Sequence, residues 1–135
     1  MLIDREKLQQ VPFAQMNEVH FEEVDLVNKI YRILEEDESN EEAIIEGLEA
    51  FLEHTVGHFS NEERLMQEHS FFAFHCHKGA HDLALERIRE LIASYKSNKK
   101  IDELLNYFEV ELIEWLTSHI ATMDTVTATY LSQRI

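Results

Sequence analysis

Seven side chains of metal-binding type stand out in this sequence: His20, His58, Glu62, His77, His81, His119 and Asp124. His58/Glu62 and His77/His81 repeat an i, i+4 spacing, while His119 and Asp124 are separated by five. On a helix, residues i and i+4 project from one face, a turn apart. Helices packed side by side could therefore bring all seven groups to one interior point. Taken singly, each has an ordinary structural reading: a histidine on an amphipathic helix is usually packed or half-exposed, and a glutamate or aspartate is usually a surface or cap residue. Taken together they read differently. The five histidines fall on stripes that are otherwise apolar, and burying unpaired imidazoles and carboxylates there would cost on the order of several kcal/mol in aggregate. A metal would supply both the charge and the geometry.

The donor types narrow the metal. Cys76 is the only cysteine, so no thiolate set for a zinc finger or an iron–sulfur cluster exists. Three histidines could hold one zinc, but that leaves too many polar groups inside. Five imidazoles with two carboxylates able to bridge suit two iron-like ions better than one. The Glu-x-x-His pairs of ferritin-like di-iron proteins are absent, because no histidine here has a glutamate three residues before it. Histidine-rich ligation favours the lower oxidation state, which suits reversible dioxygen binding more than oxidation of an organic substrate.

The elements that must position these groups read as helices. The chain has 135 residues, 44% of them hydrophobic, with only 3 glycines and 1 proline, enough for one helical domain over 1–135. Residues up to about 17, interrupted by Pro12, are expected to form an irregular arm whose Phe13 and Met16 fold back on the core. A first helix is expected over about 18–37, where Val24, Val27, Ile30, Tyr31 and Leu34 form an apolar stripe that extends back to His20. The acidic run 35–42 is a turn, with cap residues between Asp37 and Asn40 and Glu41 and Glu42 favourable in the next first turn. The second helix, about 41–68, carries Ile44, Leu48, Phe51, His58, Phe59, Glu62 and Met66 inward. Gly57, beside His58, suggests a close helix approach. An aromatic link at 69–74 precedes a third helix over about 75–96, with His77, His81, Leu85, Ile88 and Ile92 on one stripe. Ser97 and Asn98 form a short turn. The fourth helix, 99–118 or beyond, carries Leu104, Phe108, Leu112, Trp115, Leu116 and His119, and residues 122–131 either continue it or dock as a tail. The expected architecture is all-α: an antiparallel up-down-up-down four-helix bundle with an N-terminal irregular arm.

Charge excludes some functions. Twenty-seven acidic residues against 12 basic ones give a formal charge of −15, which disfavours nucleic acid or an anionic membrane surface as a partner. No apolar run approaches the roughly 18 residues of a membrane helix, and no signal-peptide pattern is visible at the start. A soluble, cytoplasmic protein is the expectation.

These motifs resemble the hemerythrin family in its bacterial form, over about residues 11–125. HFSNEERLM at 58–66 is similar to the family pattern H-F-x-x-E-E-x-x-M, the segment from His77 to His81 to H-x-x-x-H, and WLTSHIATMD at 115–124 to W-L-x-x-H-I-x-x-x-D. His20 with Asn28 resembles the first-helix signature. The resemblance implies that His77, His81 and His119 hold one iron and that His20 and His58 hold a second. Glu62, Asp124 and an oxo or hydroxo group would bridge the two. It also implies a dioxygen site at the second iron, lined by Phe59, Trp115 and Leu116. The implied function is reversible dioxygen binding for storage, delivery or sensing, with dioxygen as the ligand and a redox or oxygen-consuming protein as partner. A di-iron redox enzyme or a peroxide or nitric oxide scavenger is the alternative, and an iron-handling bundle a third reading.

The first helix departs from the family pattern I-D-x-x-H-x-x-L. Asn17 stands where aspartate is usual, weakening a hydrogen bond that could orient a ligand imidazole. Glu23 stands where an apolar residue is expected, three after His20. Helix rotation could leave it on the surface. Facing inward near the second iron, it could instead cap the open position or stabilise the ferric state. Of the remaining histidines, His54 reads as a packed residue, and His69 and His75 as solvent-side. Cys76 reads as a small core residue.

Overall fold

The computed structural model describes residues 1–135 and is an all-α four-helix bundle with an irregular N-terminal segment. Helix α1 spans Ala14–Glu36, α2 Glu41–Glu68 and α3 Phe74–Asn98. Helix α4 is composite, running from 102 to 132. It is α-helical over Asp102–Asn106, Leu112–His119 and Thr125–Ser132, with π-helical turns at Tyr107–Glu111 and Ile120–Asp124 between them. None of these helices is long and apolar enough to cross a membrane.

The helices end where local chemistry stops them. Asn40 caps α2 by accepting from the Ala43 N–H at 3.1 Å, and Glu41 and Glu42 follow in the first turn, where negative charge suits the helix dipole. Helix α3 runs through Ser97 and Asn98, which the sequence reading assigned to a turn, and stops at Lys99 in the left-handed region (φ 58°), whose N–H bonds the Tyr95 carbonyl.

The core forms where the four apolar stripes meet. Val27, Ile30 and Leu34 of α1 join Ile44, Leu48 and Phe51 of α2, Ile88, Leu91, Ile92 and Tyr95 of α3, and Leu104, Phe108 and Leu112 of α4. Phe51 and Phe108 meet edge to face with centroids 6.0 Å apart. Two successive aromatics of the Tyr107–Glu111 turn, Tyr107 and Phe108, are both buried.

The N-terminal segment is tied down by two asparagines on α1. Asn28 Nδ2 donates to the Ile3 carbonyl (2.8 Å), and its Oδ1 accepts from the Ile3 N–H (2.9 Å). Asn17 makes the same reciprocal pair with Val11, both bonds 2.8 Å. The expectation that Asn17 acts on a ligand imidazole is therefore corrected. Its amide is spent on the arm, a task that needs a donor and an acceptor together and that an ionised aspartate could only half perform. Helix α1 also begins at Ala14, earlier than expected, so Met16 is a buried helix residue rather than part of the arm.

The close approach expected at Gly57 is found at Gly47 instead. A Cβ at Gly47 would lie 3.0 Å from Ile30 Cγ1, whereas one at Gly57 would meet nothing within 4 Å. Gly57→Ala should thus gain helix propensity without a clash and raise stability by about 0.5–1 kcal/mol in thermal or urea unfolding. A loss of stability would show that the position carries a constraint the packing does not reveal. The exposed placement of Cys76 is a further correction, since that side chain is outside the core.

Candidate metal centre

All four helices contribute to one buried cluster: His20 from α1, His58 and Glu62 from α2, His77 and His81 from α3, and His119 and Asp124 from α4. The i, i+4 pairs on α2 and α3 follow from ordinary helix geometry. The His119/Asp124 pair does not. At about 100° per residue, five steps along an α-helix leave two side chains roughly 140° apart. The π turn at Ile120–Asp124 removes that mismatch and brings His119 Nε2 within 3.1 Å of Asp124 Oδ1. The five-residue spacing and the π turn are thus one feature seen at two levels.

The carboxylates divide their oxygens between two sides. Glu62 Oε1 lies 3.0 Å from His77 Nε2 and 3.6 Å from His81 Nε2, while its Oε2 lies 2.8 Å from His58 Nε2. Asp124 Oδ1 lies 3.1 Å from both His77 Nε2 and His119 Nε2, while its Oδ2 lies 3.1 Å from His20 Nε2. On one side, Glu62, His77, His81, His119 and Asp124 each offer a ligand atom, all within 4.8 Å of one another. On the other side the remaining carboxylate oxygens face two imidazoles.

The cluster is poorly satisfied as a hydrogen-bond network. Eight buried side-chain polar atoms in the molecule lack a hydrogen-bond partner, and six belong to these seven residues: both nitrogens of His20, His58 Nδ1, Glu62 Oε1, His81 Nε2 and Asp124 Oδ1. His20 Nε2, His81 Nε2, Glu62 Oε1 and Asp124 Oδ1 sit at ion-pair distance from a neighbour without hydrogen-bond alignment. His77 Nε2 and His119 Nε2 face one another at 3.1 Å, an arrangement a cation between them would relieve. Unsatisfied groups of this kind are rare in protein interiors and demand a reason. The nitrogen and carboxylate donors of Glu62, His77, His81, His119 and Asp124, gathered within 4.8 Å of one another, fit a metal site.

Outer partners set the imidazoles. His77 Nδ1 is 2.7 Å from Thr127 Oγ1, and His81 Nδ1 is 2.9 Å from Glu63 Oε2. With the proton held at Nδ1, each ring turns its Nε2 lone pair inward. The sequence reading missed both partners. Glu63 was visible as the second member of the Glu62-Glu63 pair; Thr127, fifty residues from His77, gave no signal. Aromatic rings back the same side: Phe59 stacks on His81 (3.8 Å, 3° between planes) and Trp115 on His119 (4.3 Å, 13°). Leu116 packs in the core. Trp115 therefore lies flat against the three-histidine side, while Phe59 stacks on His81 and also lies beside the His58 ring, centroids 5.3 Å apart. His54 is half-buried, its Nε2 3.3 Å from Glu22 Oε2, and is not among the converging groups.

Glu23 is buried, not on the surface. Its Oε2 lies 3.6 Å from His58 Nδ1, the face of that ring turned away from Glu62.

In the metal-free protein the carboxylates and imidazoles pair with one another. Burial alone would lower His58, but Glu23 and then Glu62 push it up to about 10; His77, likewise opposed by burial, is raised to about 9 by Asp124 and Glu62. Burial, and for Glu62 the Asp124 charge, would raise the two carboxylates, yet the surrounding histidines hold both well below the usual range. The raised imidazoles stabilise the metal-free fold fully below their unfolded value of about 6.5, and that stability is lost as pH rises through 9 to 10. The depressed carboxylates stabilise it above about 4, and that part is lost on acidification. Metal ions must displace the imidazole protons, so loading should strengthen with pH. The gap in melting temperature between loaded and metal-free protein should widen from pH 6.5 to pH 9. A gap that stays constant across this range would contradict the pairing.

A four-helix bundle whose core gathers buried histidines and carboxylates from all four helices defines a class of cation-binding helical proteins. Comparison with known proteins places the chain within it. The Hemerythrin HHE cation binding domain model matches residues 11–131, and the chain belongs to the hemerythrin family. A bacteriohemerythrin of Aquifex aeolicus is 36% identical over 132 residues, covering 97% of this chain and 98% of that protein. A bacteriohemerythrin of Ralstonia nicotianae is 32% identical over 97 residues, 72% of this chain and 69% of its own. The crystal structure of a wild-type hemerythrin superposes with a TM-score of 0.80 at 24% identity, covering 90% of this chain and 91% of that one, and shows the shared fold.

Proposed function

We propose that this protein holds two iron ions and binds dioxygen reversibly. The observation that carries the reading is the division of carboxylate oxygens. Glu62 and Asp124 each turn one oxygen to the three histidines His77, His81 and His119 and the other to His20 and His58. Carboxylates disposed in this way would bridge two ions, with a solvent-derived oxo or hydroxo group as the third bridge. Five protein groups would hold the first ion and four the second, which would leave room at the second for a small exogenous molecule. Two irons held by these residues would supply the electron pair that reversible dioxygen binding requires. Phe59 and Trp115, flat against His81 and His119, keep water from the three-histidine side. Such a protein would store dioxygen, deliver it to an oxygen-consuming partner or report its level.

The test is anaerobic loading with ferrous iron, followed by cycles of air and argon. Two irons per chain and a visible absorption band that forms in air and disappears under argon are the expected result. One ion per chain would sink the two-metal reading. Two ions that pass directly to a ferric spectrum, without a reversible band, would favour the di-iron redox enzyme or scavenger.

A further inference from the structure

Glu23 is the one carboxylate inside the bundle that the two-metal reading leaves without a task. It sits on the apolar stripe of α1, one residue before Val24, with 4% of its side chain exposed. A buried carboxylate with no partner is costly, and within 4.0 Å its only basic neighbour is His58. The other face of the His58 ring explains the pairing. His58 turns Nε2 to Glu62 at 2.8 Å, and its Nδ1 is buried without a hydrogen-bond partner. At His77 and His81 the corresponding nitrogen is held: Thr127 at 2.7 Å and Glu63 at 2.9 Å meet their Nδ1 atoms. His58 lacks that support from its own helix and from α3 and α4. The nearest acceptor is Glu23 at 3.6 Å, and an approach of less than about 1 Å would give an ordinary charge-assisted bond.

We propose that Glu23 is a positioning residue for the second metal: it accepts the Nδ1–H of His58 and fixes the ring so that Nε2 points at the two-histidine position. The inference rests on the two-metal reading. Helix α1 then serves that position twice, once through His20 directly and once, three residues on, through the ring of a neighbouring helix. The inward-facing carboxylate does not itself complete the open position; it works from behind a ligand. A ring held in this way is a stronger donor, and the added negative charge favours a more highly charged ion at that position.

Zinc, which is diamagnetic and does not react with dioxygen, separates positioning from oxygen chemistry. The full chain and its Glu23→Gln and Glu23→Leu variants would be titrated with zinc against a competing chelator, and the His58 Nδ1–H followed by nitrogen-15 NMR. The expected result is a loss of about ten- to hundredfold in affinity for the second ion in Glu23→Leu, with the first ion unchanged. Glu23→Gln, which keeps an acceptor but not the charge, should fall between. The Nδ1–H signal of the zinc-loaded protein should move in both variants. Equal second-ion affinities with an unmoved His58 signal would overturn the proposal while leaving the two-metal reading intact. A wild-type chain that takes only one zinc would overturn both. Should Glu23→Leu fail to fold, Glu23→Gln alone decides, since an isosteric change that moves neither affinity nor signal is enough to reject the role.

Discussion

Replacing Glu62 by alanine is expected to remove both metal ions, not one. Each of its oxygens serves a different set of histidines, Oε2 at 2.8 Å from His58 and Oε1 at 3.0 Å from His77. Loss of the side chain therefore opens both positions at once. The effect should exceed the ten- to hundredfold typical of losing a partner behind a ligand. A consequence for stability follows. Ions that bind only the folded chain add about 4 kcal/mol when present at a thousand times their dissociation constant. For a domain of this size that is roughly 10–20 °C in melting temperature, so the melting temperature of Glu62→Ala should not respond to added iron, whereas that of the wild type should. Metal content per chain after anaerobic loading and desalting, read beside the melting curve, tests both parts. A variant that still carries two ions would show that Glu62 is not shared.

The second large effect lies in the core. Phe108 is 1% exposed and meets Phe51 from the opposite side of the bundle. Phe108→Ala should cost about 3–5 kcal/mol through lost burial and the cavity left behind, a fall of roughly 10–20 °C in melting temperature. Phe108 belongs to the apolar core, with Phe51 and Tyr107 as its aromatic neighbours, so whatever fraction remains folded should still load two ions. Chemical denaturation and metal content measured on the same preparation separate the two. A folded variant that has lost its metal would mean that the π turn carrying Phe108 transmits strain along α4 to His119.

The parts of this molecule that were legible in its sequence are those governed by a regular period. His58/Glu62 and His77/His81 obey the α-helical repeat, so a shared face could be read for them without coordinates. The stripes from Val24 to Leu34 and from Ile44 to Phe51 obey it too, and the bundle follows from them. Where the period breaks, reading became harder. His119 and Asp124 are out of phase on an α-helix, and only the π turn reconciles them; no residue in Ile120–Asp124 announces it. The same turn hid the continuity of α4, which runs on to Ser132. Partners brought in by tertiary packing were invisible for a different reason. Nothing local distinguishes Thr127, which holds His77, from the other threonines of the last helix. Asn17 could be noticed as unusual, but its use as a clamp on Val11 depends on where the arm lies. Gly47 and Gly57 look alike in sequence, and only the neighbouring helix shows which one is needed.

The stacking of Trp115 on His119 has a practical side. It is the only tryptophan in the chain, and its ring lies 4.3 Å from an imidazole directed at the metal centre. Any event at that imidazole, whether an ion arriving, leaving or changing its oxidation state, happens within contact range of the sole indole fluorophore. The bundle thus contains its own optical gauge: emission excited at the indole reports on the state of the centre without a label and without interference from a second tryptophan.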